Sequence, residues 1–322
     1  MIRLTRLASL SGFALLILFN AARADDYPSR PIRLVVGFPP GASADITARI
    51  VGGAMGQALG QQVVIENKPG AASGIAAEFV ARAPKDGYTL FLGSSANLTA
   101  QAISNVPFDL AKDFAPIARA TTAAVVLVVH PSTGAKSVAE LIALAKAKPG
   151  EILYASTGVG TAPHLSAELF AMRAGVKIVH VPYQGSPQAA TDLIAGRVHM
   201  MFSPASAAMA QVEAGKLTAL ASAAATRPAI APTVPTMAEA GIPDFDTSIW
   251  FGLMAPAGTP RDVVEKLARA LNEAIKSAEV VDKLKAQGME PLGGTPEELA
   301  AFIDRETDKW AVAAAAAGLK KQ

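Results

Sequence analysis

Two stretches of the chain are built alike. Val35-Val36-Gly37-Phe38-Pro39-Pro40-Gly41-Ala42-Ser43-Ala44-Asp45 and Tyr154-Ala155-Ser156-Thr157-Gly158-Val159-Gly160-Thr161-Ala162-Pro163-His164 each pass from an apolar strand pattern, through a Gly/Ser/Thr turn, into a helical pattern. The first turn of a helix leaves backbone N–H groups unpaired at the positive end of its dipole, so it attracts anions. Two such ends facing one another would hold a small carboxylate. That chemistry is binding, not bond-making.

Serine and threonine gather at the carboxyl ends of the strand patterns. Ser43 follows the first, Ser94-Ser95-Ala96-Asn97 the third, Ser156, Thr157 and Thr161 the one at 152–155, and Ser203 the one at 198–202. In open α/β sheets ligands sit outside those ends. Any one of these residues could be a helix cap; four clusters at the same end favour a cleft. Gly41 and Gly160 let backbone approach a ligand closely, and Phe38 could supply an apolar wall. Asp45 has two readings. It completes a helix start, or it orients ligand and water; a bare carboxylate repels an anion, which favours the first. No buried arginine is required, although Arg82, Arg119 and Arg173 stay open as counter-charges.

The elements that must position these residues alternate regularly. Residues 32–37, 62–66 and 88–93 read as buried strands, with helices over 45–59 and 73–83. Further strands are expected at 123–130, 152–155, 177–181, 198–203 and 217–221, separated by helices at 137–147, 163–174, 187–195 and 204–213. That rhythm implies a mostly parallel sheet with helices on both faces. Pro163, Pro187 and Pro204 each read as first-turn residues. Ser137 reads as an N-cap, and Thr295 with Glu298 as a capping box. The C-terminal part changes to long helices at 261–276 and 296–317 with no strand between them. With no low-complexity linker, the boundaries between lobes must be crossing strands, outward at 121–130 and returning at 250–256. The expected division is residues 25–122 with 251–322 as one α/β domain and 123–250 as the other.

Bulk properties narrow the class. Arg3 and Arg6, an apolar run over 7–19 and Ala22-Arg23-Ala24 read as a secretory signal peptide over residues 1–24. The formal net charge of +2 falls to −1 once Arg3, Arg6 and Arg23 leave with it, so nothing suggests a nucleic-acid partner. The chain has no cysteine, hence no disulfide and no thiolate metal site. Nucleophile elbow, zinc-protease and phosphate-loop motifs are missing. His130, His164, His180 and His199 lack metal-ligand spacing. No cofactor and no metal are expected, and no catalytic residue.

Taken in order, several motifs resemble the receptors of tripartite tricarboxylate transporters, also called Bug proteins or extra-cytoplasmic solute receptors. They are Val35 to Gly41, Glu66-Asn67-Lys68-Pro69-Gly70, Ala83 to Leu90, Gly160 to Leu165, Val181-Pro182-Tyr183-Gln184-Gly185, Asp192 to Gly196 and Gly252 to Pro260. The resemblance covers essentially the whole chain after the leader. It implies a periplasmic binding protein of type II-like fold, two α/β domains joined by two crossing strands with the ligand cleft between them. It implies a monomer that closes around a small mono-, di- or aromatic carboxylate and delivers it to a membrane permease. The ligand residues it implies are Phe38, Ala42, Ser43, Ala44 and Asp45 in the first loop and Ser156, Thr157, Thr161 and His164 in the second. Tyr183, Asp192 and Ser203 are implied as well; Ser95 and Gly160 complete the set from the reading above. Two positions depart from the family pattern. Ala42 stands where a second glycine is common, and Ala71-Ala72-Ser73 where Gly and Asn are common, so a relative's substrate does not transfer. Alternatives are a ligand sensor acting on a membrane partner, or a secreted hydrolase using Ser95 or Ser156 with His164 as base.

Overall fold

The computed structural model describes residues 27–183 and 186–319; the expected leader lies outside it. In chain order the elements are β1 (Ile32–Val36), α1 (Ser43–Leu59), β2 (Val63–Asn67), α2 (Gly74–Ala81), β3 (Thr89–Ser94), α3 (Ser95–Ile103), β4 (Phe114–Ala123), β5 (Val125–Val129), α4 (Val138–Ala147), β6 (Ile152–Ser156) and α5 (Ala162–Ala174). They continue as β7 (Ile178–Pro182), α6 (Ser186–Ile194), β8 (Met200–Pro204), α7 (Ala205–Glu213), β9 (Thr218–Ser222), β10 (Ile249–Pro256), α8 (Arg261–Ala274), α9 (Ala278–Lys285), β11 (Met289–Gly293) and α10 (Pro296–Ala316).

Two sheets result, ordered β11-β4-β10-β3-β1-β2 and β7-β6-β8-β5-β9. In the first, β2, β1 and β3 run parallel and β10 joins β3 antiparallel. In the second, β7, β6 and β8 run parallel and β5 joins β8 antiparallel. The same four-strand pattern therefore occurs twice, with β1 and β6 as equivalent central strands. Both are short and mostly buried, as parallel strands covered on both faces must be. The two turns that the sequence singles out are thus topological equivalents, one per lobe.

The chain crosses from β4 to β5 at Ala124 and returns through residues 223–248 into β10, which pairs with β4. This is the expected fold of two α/β lobes joined by crossing strands. One core cluster fills the first lobe around Leu34, Val51, Leu92 and Leu267; another fills part of the second around Val128, Leu193 and Met201. A third runs through both lobes and includes Phe91, Tyr154, Phe202 and Trp310. Trp310 belongs to α10, whose apolar residues Leu299, Ile303, Trp310 and Ala313 recur at helical spacing. That helix packs on α3 and β4 of the first lobe and on α5 of the second, so it braces the pair.

Local signals explain the boundaries. The Ser137 hydroxyl accepts the Glu140 N–H at 3.2 Å. Thr295 and Glu298 form the reciprocal capping box, at 3.1 and 2.9 Å. Other expectations need correction. Between α8 and α10 the chain forms α9 and β11, where no strand was expected; β11 is a five-residue edge strand containing Pro291, which weakens its pattern. Strand β4, with Pro116 and Arg119, and helix α3 were also unmarked. Pro204 ends β8 and stands at the N-cap of α7, ahead of its first turn.

Ala71, Ala72 and Ser73 all take left-handed backbone, with φ of 47°, 50° and 72°. Side chains with a Cβ resist that region by about 1–2 kcal/mol each. Glycine relieves this at the cost of a more flexible unfolded chain. Replacing Ala72 by glycine is therefore expected to stabilise the fold by about 0.5–1 kcal/mol, read from urea unfolding.

Candidate functional site

A cavity of about 650 Å³ opens between the lobes. The β1–α1 turn forms one side. Ala42 is the N-cap of α1, extended at φ −71° and ψ 158°, and offers no side-chain acceptor. The N–H groups of Ser43 and Ala44 find no acceptor among the described residues. The β6–α5 turn faces it. Thr161 is the N-cap of α5, but its hydroxyl turns back to the Gly158 carbonyl at 2.7 Å and leaves the helix uncapped. The Ala162 N–H is likewise without an acceptor among the described residues. A third helix start joins them: Ser95 and Ala96, in the first turn of α3, also line the cavity.

Asp45 serves the first turn from behind. It is 2% exposed. One carboxylate oxygen accepts the Gly41 N–H and the Arg49 Nε–H, both at 2.9 Å; the other accepts Asn67 Nδ2–H at 2.9 Å. Burial pushes its pKa up, but these hydrogen bonds and the Arg49 charge outweigh it and hold the group below the usual range. Asn67 also donates to the Phe38 carbonyl at 2.9 Å, tying β2 to the turn. Asp45 is consumed in shaping the loop, and it does not line the cavity.

The second turn rests on a stack of rings. His164 Nδ1 accepts the Gly160 N–H at 2.9 Å. Its ring lies on His180 with centroids 3.9 Å apart and planes 9° from parallel, and Tyr154 continues the stack. His180 Nε2 meets Ser156 Oγ at 2.6 Å, and Ser156 Oγ accepts the Gly158 N–H at 3.1 Å. Tyr154 donates its hydroxyl to Glu168. Burial, with the neighbouring His180, lowers the His164 pKa to about 4, and burial lowers His180 as well. Both rings are therefore neutral near pH 7, which lets His164 accept the loop's N–H.

The expected ligand residues separate into two groups. Phe38, Ala42, Ser43, Ala44, Ser95, Thr157, Gly160 and Thr161 line the cavity. Asp45, Ser156, His164, Tyr183, Asp192 and Ser203 do not. Ser156 and His164 lie under the turn. The Tyr183 hydroxyl donates to Asp192 at 2.8 Å, and Asp192 pairs with Arg197 at 2.7 Å. Ser203 lies on β8 opposite Val126. The α7 start beside it is not free, because the Ala205 N–H donates to Ala124 O at 2.8 Å. Arg82 pairs with Glu78, and Arg173 donates to the Pro243 carbonyl; neither they nor Arg119 line the cavity. The sequence reading missed the apolar side: Ile103, Val106, Val159, Ile249 and Phe251.

Gly41 and Gly160 both have positive φ, 83° and 75°. Around Gly41 there is open space, so the turn alone demands glycine there. At Gly160 a Cβ would lie 2.0 Å from Ile103 Cδ1, on α3 of the opposite lobe. Gly160→Ala is expected to cost about 1–2 kcal/mol of stability from the positive φ, with the Ile103 clash added to it, measured by urea unfolding; in an Ile103→Ala background only the φ part should remain.

Residues 47–319 match the model of the tripartite tricarboxylate transporter family receptor. The chain belongs to this receptor family. It is 39% identical over 313 residues to protein BugT of Bordetella pertussis, covering 96% of each chain. Among solved structures it resembles Rpa4515 of R. palustris with adipate (35% identity, TM-score 0.76, 92% of this chain and 100% of that one). It also resembles MatC of Rhodopseudomonas palustris with bound malate (31% identity, TM-score 0.72, 89% and 99%). The serine–histidine contact differs from the one a hydrolase reading expects: Ser156 is fully buried and meets His180, not His164. Among the described residues, no helix is long and apolar enough to cross a membrane.

Proposed function

We propose that this receptor works in the periplasm, closes its lobes on the carboxylate of a small organic acid, and delivers it to a tripartite membrane permease. One observation carries the reading. The uncapped starts of α1 and α5, from opposite lobes, open on a single cavity that, among the described residues, no charged side chain lines. An anion there is held by backbone N–H groups and helix dipoles. Four or five hydrogen bonds of about 1.5–3 kcal/mol each suffice, after association costs, for micromolar affinity. The adipate and malate carried by the two structural neighbours support a carboxylate. Bridging both lobes favours the closed arrangement, as in hinge-closing receptors.

A thermal-shift screen of mono-, di-, tri- and aromatic carboxylates tests this. A ligand at a hundred times its Kd should add about 2.7 kcal/mol of stability. Silence from every carboxylate, with an amino acid or sugar active instead, would overturn the reading.

A further inference from the structure

The cavity says more about the ligand than its head group. Among the described residues that line it, none carries a titratable side chain and none is Asn or Gln. Away from the helix starts the wall is made by Ile103, Val106, Ile249 and Phe251, with Phe38 and Val159 at other points of the lining. Hydroxyl groups occur only on serines and threonines. Of these, Thr161 already donates to Gly158 O, Thr99 donates to Ala96 O, and Ser94 approaches Asn97 Oδ1; Ser43, Ser95 and Thr157 belong to the turns and helix starts, and Ser104 follows Ile103. Ligand hydroxyls placed against the apolar wall would lose their water without gaining partners. An apolar body would gain by leaving water.

We infer that this receptor selects a carboxylate carried on an apolar body, an aromatic ring or an aliphatic chain of about five to eight carbons, over short hydroxylated acids. The inference rests on the receptor reading above and narrows its substrate class. The cavity's size fits such a body, since pockets of about 300–1,000 Å³ bury ligands of that scale or larger. Selectivity comes from Ile103 and Val106, at and just after the end of α3, and from Ile249 and Phe251 on β10. The helix starts supply the part common to every carboxylate.

Isothermal titration with acetate, butyrate, hexanoate, octanoate, benzoate, malate and citrate decides it. Affinity should rise about four-fold for each added methylene until the cavity is full, with malate and citrate weaker than hexanoate and benzoate. Val106→Ser should weaken hexanoate about ten-fold more than it weakens acetate; Ile103→Ser, checked for folding by circular dichroism, should do the same. Malate or citrate binding most tightly, no gain with chain length, or equal losses for acetate and hexanoate in both variants would overturn the inference while leaving a carboxylate receptor. Silence from all seven acids would overturn the receptor reading and this inference together.

Discussion

Replacing Ser43 by proline is expected to weaken carboxylate binding about 10- to 100-fold while moving stability by less than about 0.5 kcal/mol. Ser43 is the first residue of α1, a position where proline's fixed φ suits a helix and its missing N–H breaks no helical bond. The preceding residue, Ala42, has φ −71° and ψ 158°, the extended conformation that a following proline requires. What the substitution removes is the unpaired N–H of a residue that lines the cavity, together with its hydroxyl. A hydrogen bond from such a group to a charged ligand contributes about 1.5–3 kcal/mol. Ser43→Ala, which keeps the N–H, should bind within about three-fold of the parent chain, because one weak hydroxyl contact is all it can lose. Ala162→Pro makes the same test in the second lobe, since Thr161 is extended at φ −71° and ψ 159°. Thr161 itself is unsuitable: proline there would follow Gly160 at φ +75° and delete both bonds to Gly158 O. Titration calorimetry and urea unfolding separate the two effects. Equal losses of binding and of stability in both proline variants would show that the helix starts are structural only.

The legible part of this receptor was the part written locally. Alternating strand and helix patterns gave the two α/β lobes, and the β1–α1 and β6–α5 turns stood out because each packs Gly, Ser and Thr between an apolar strand and a helix. Their equivalence became visible only in the sheet order, where β1 and β6 occupy matching places. The division of labour within the turns was not legible. Asp45 and His164 have the chemistry of ligand residues, yet each spends its acceptors on the turn's own N–H groups at Gly41 and Gly160. Nor could spacing reveal the apolar wall. Ile103, Ile249 and Phe251 come from three distant segments, and apolar residues that face a ligand look the same in sequence as those that face a core. The Ser94 and Asn97 pair was a usable signal for α3, because Asn97 Oδ1 caps the Ser94 N–H at 3.0 Å.

Stability is expected to fall by about 3 kcal/mol through His164 as pH drops from about 6.5 to about 4. The ring's pKa lies near 4 in the folded chain, against 6.5 as the ordinary value. In that window the unfolded chain binds the proton and the folded chain does not, so stability rises with pH and is fully present above about 6.5. His180 and His199 are lowered too, chiefly by burial, and act in the same direction. Buried Glu306 is raised by desolvation and opposes them, since its neutral form is favoured in the fold. Asp45, held low, contributes its loss only at more acid pH. His164→Asn isolates the histidine. The amide oxygen can still accept the Gly160 N–H, but it does not titrate. Urea unfolding from pH 4 to pH 8 should show a shallower slope in this variant by up to one proton, about 1.4 kcal/mol per pH unit. Protonating His164 in the folded chain withdraws the acceptor that holds the Gly160 N–H, so carboxylate affinity should decline as pH falls through about 4. An unchanged slope in His164→Asn would place the acid sensitivity elsewhere and leave the turn's support independent of the ring's charge.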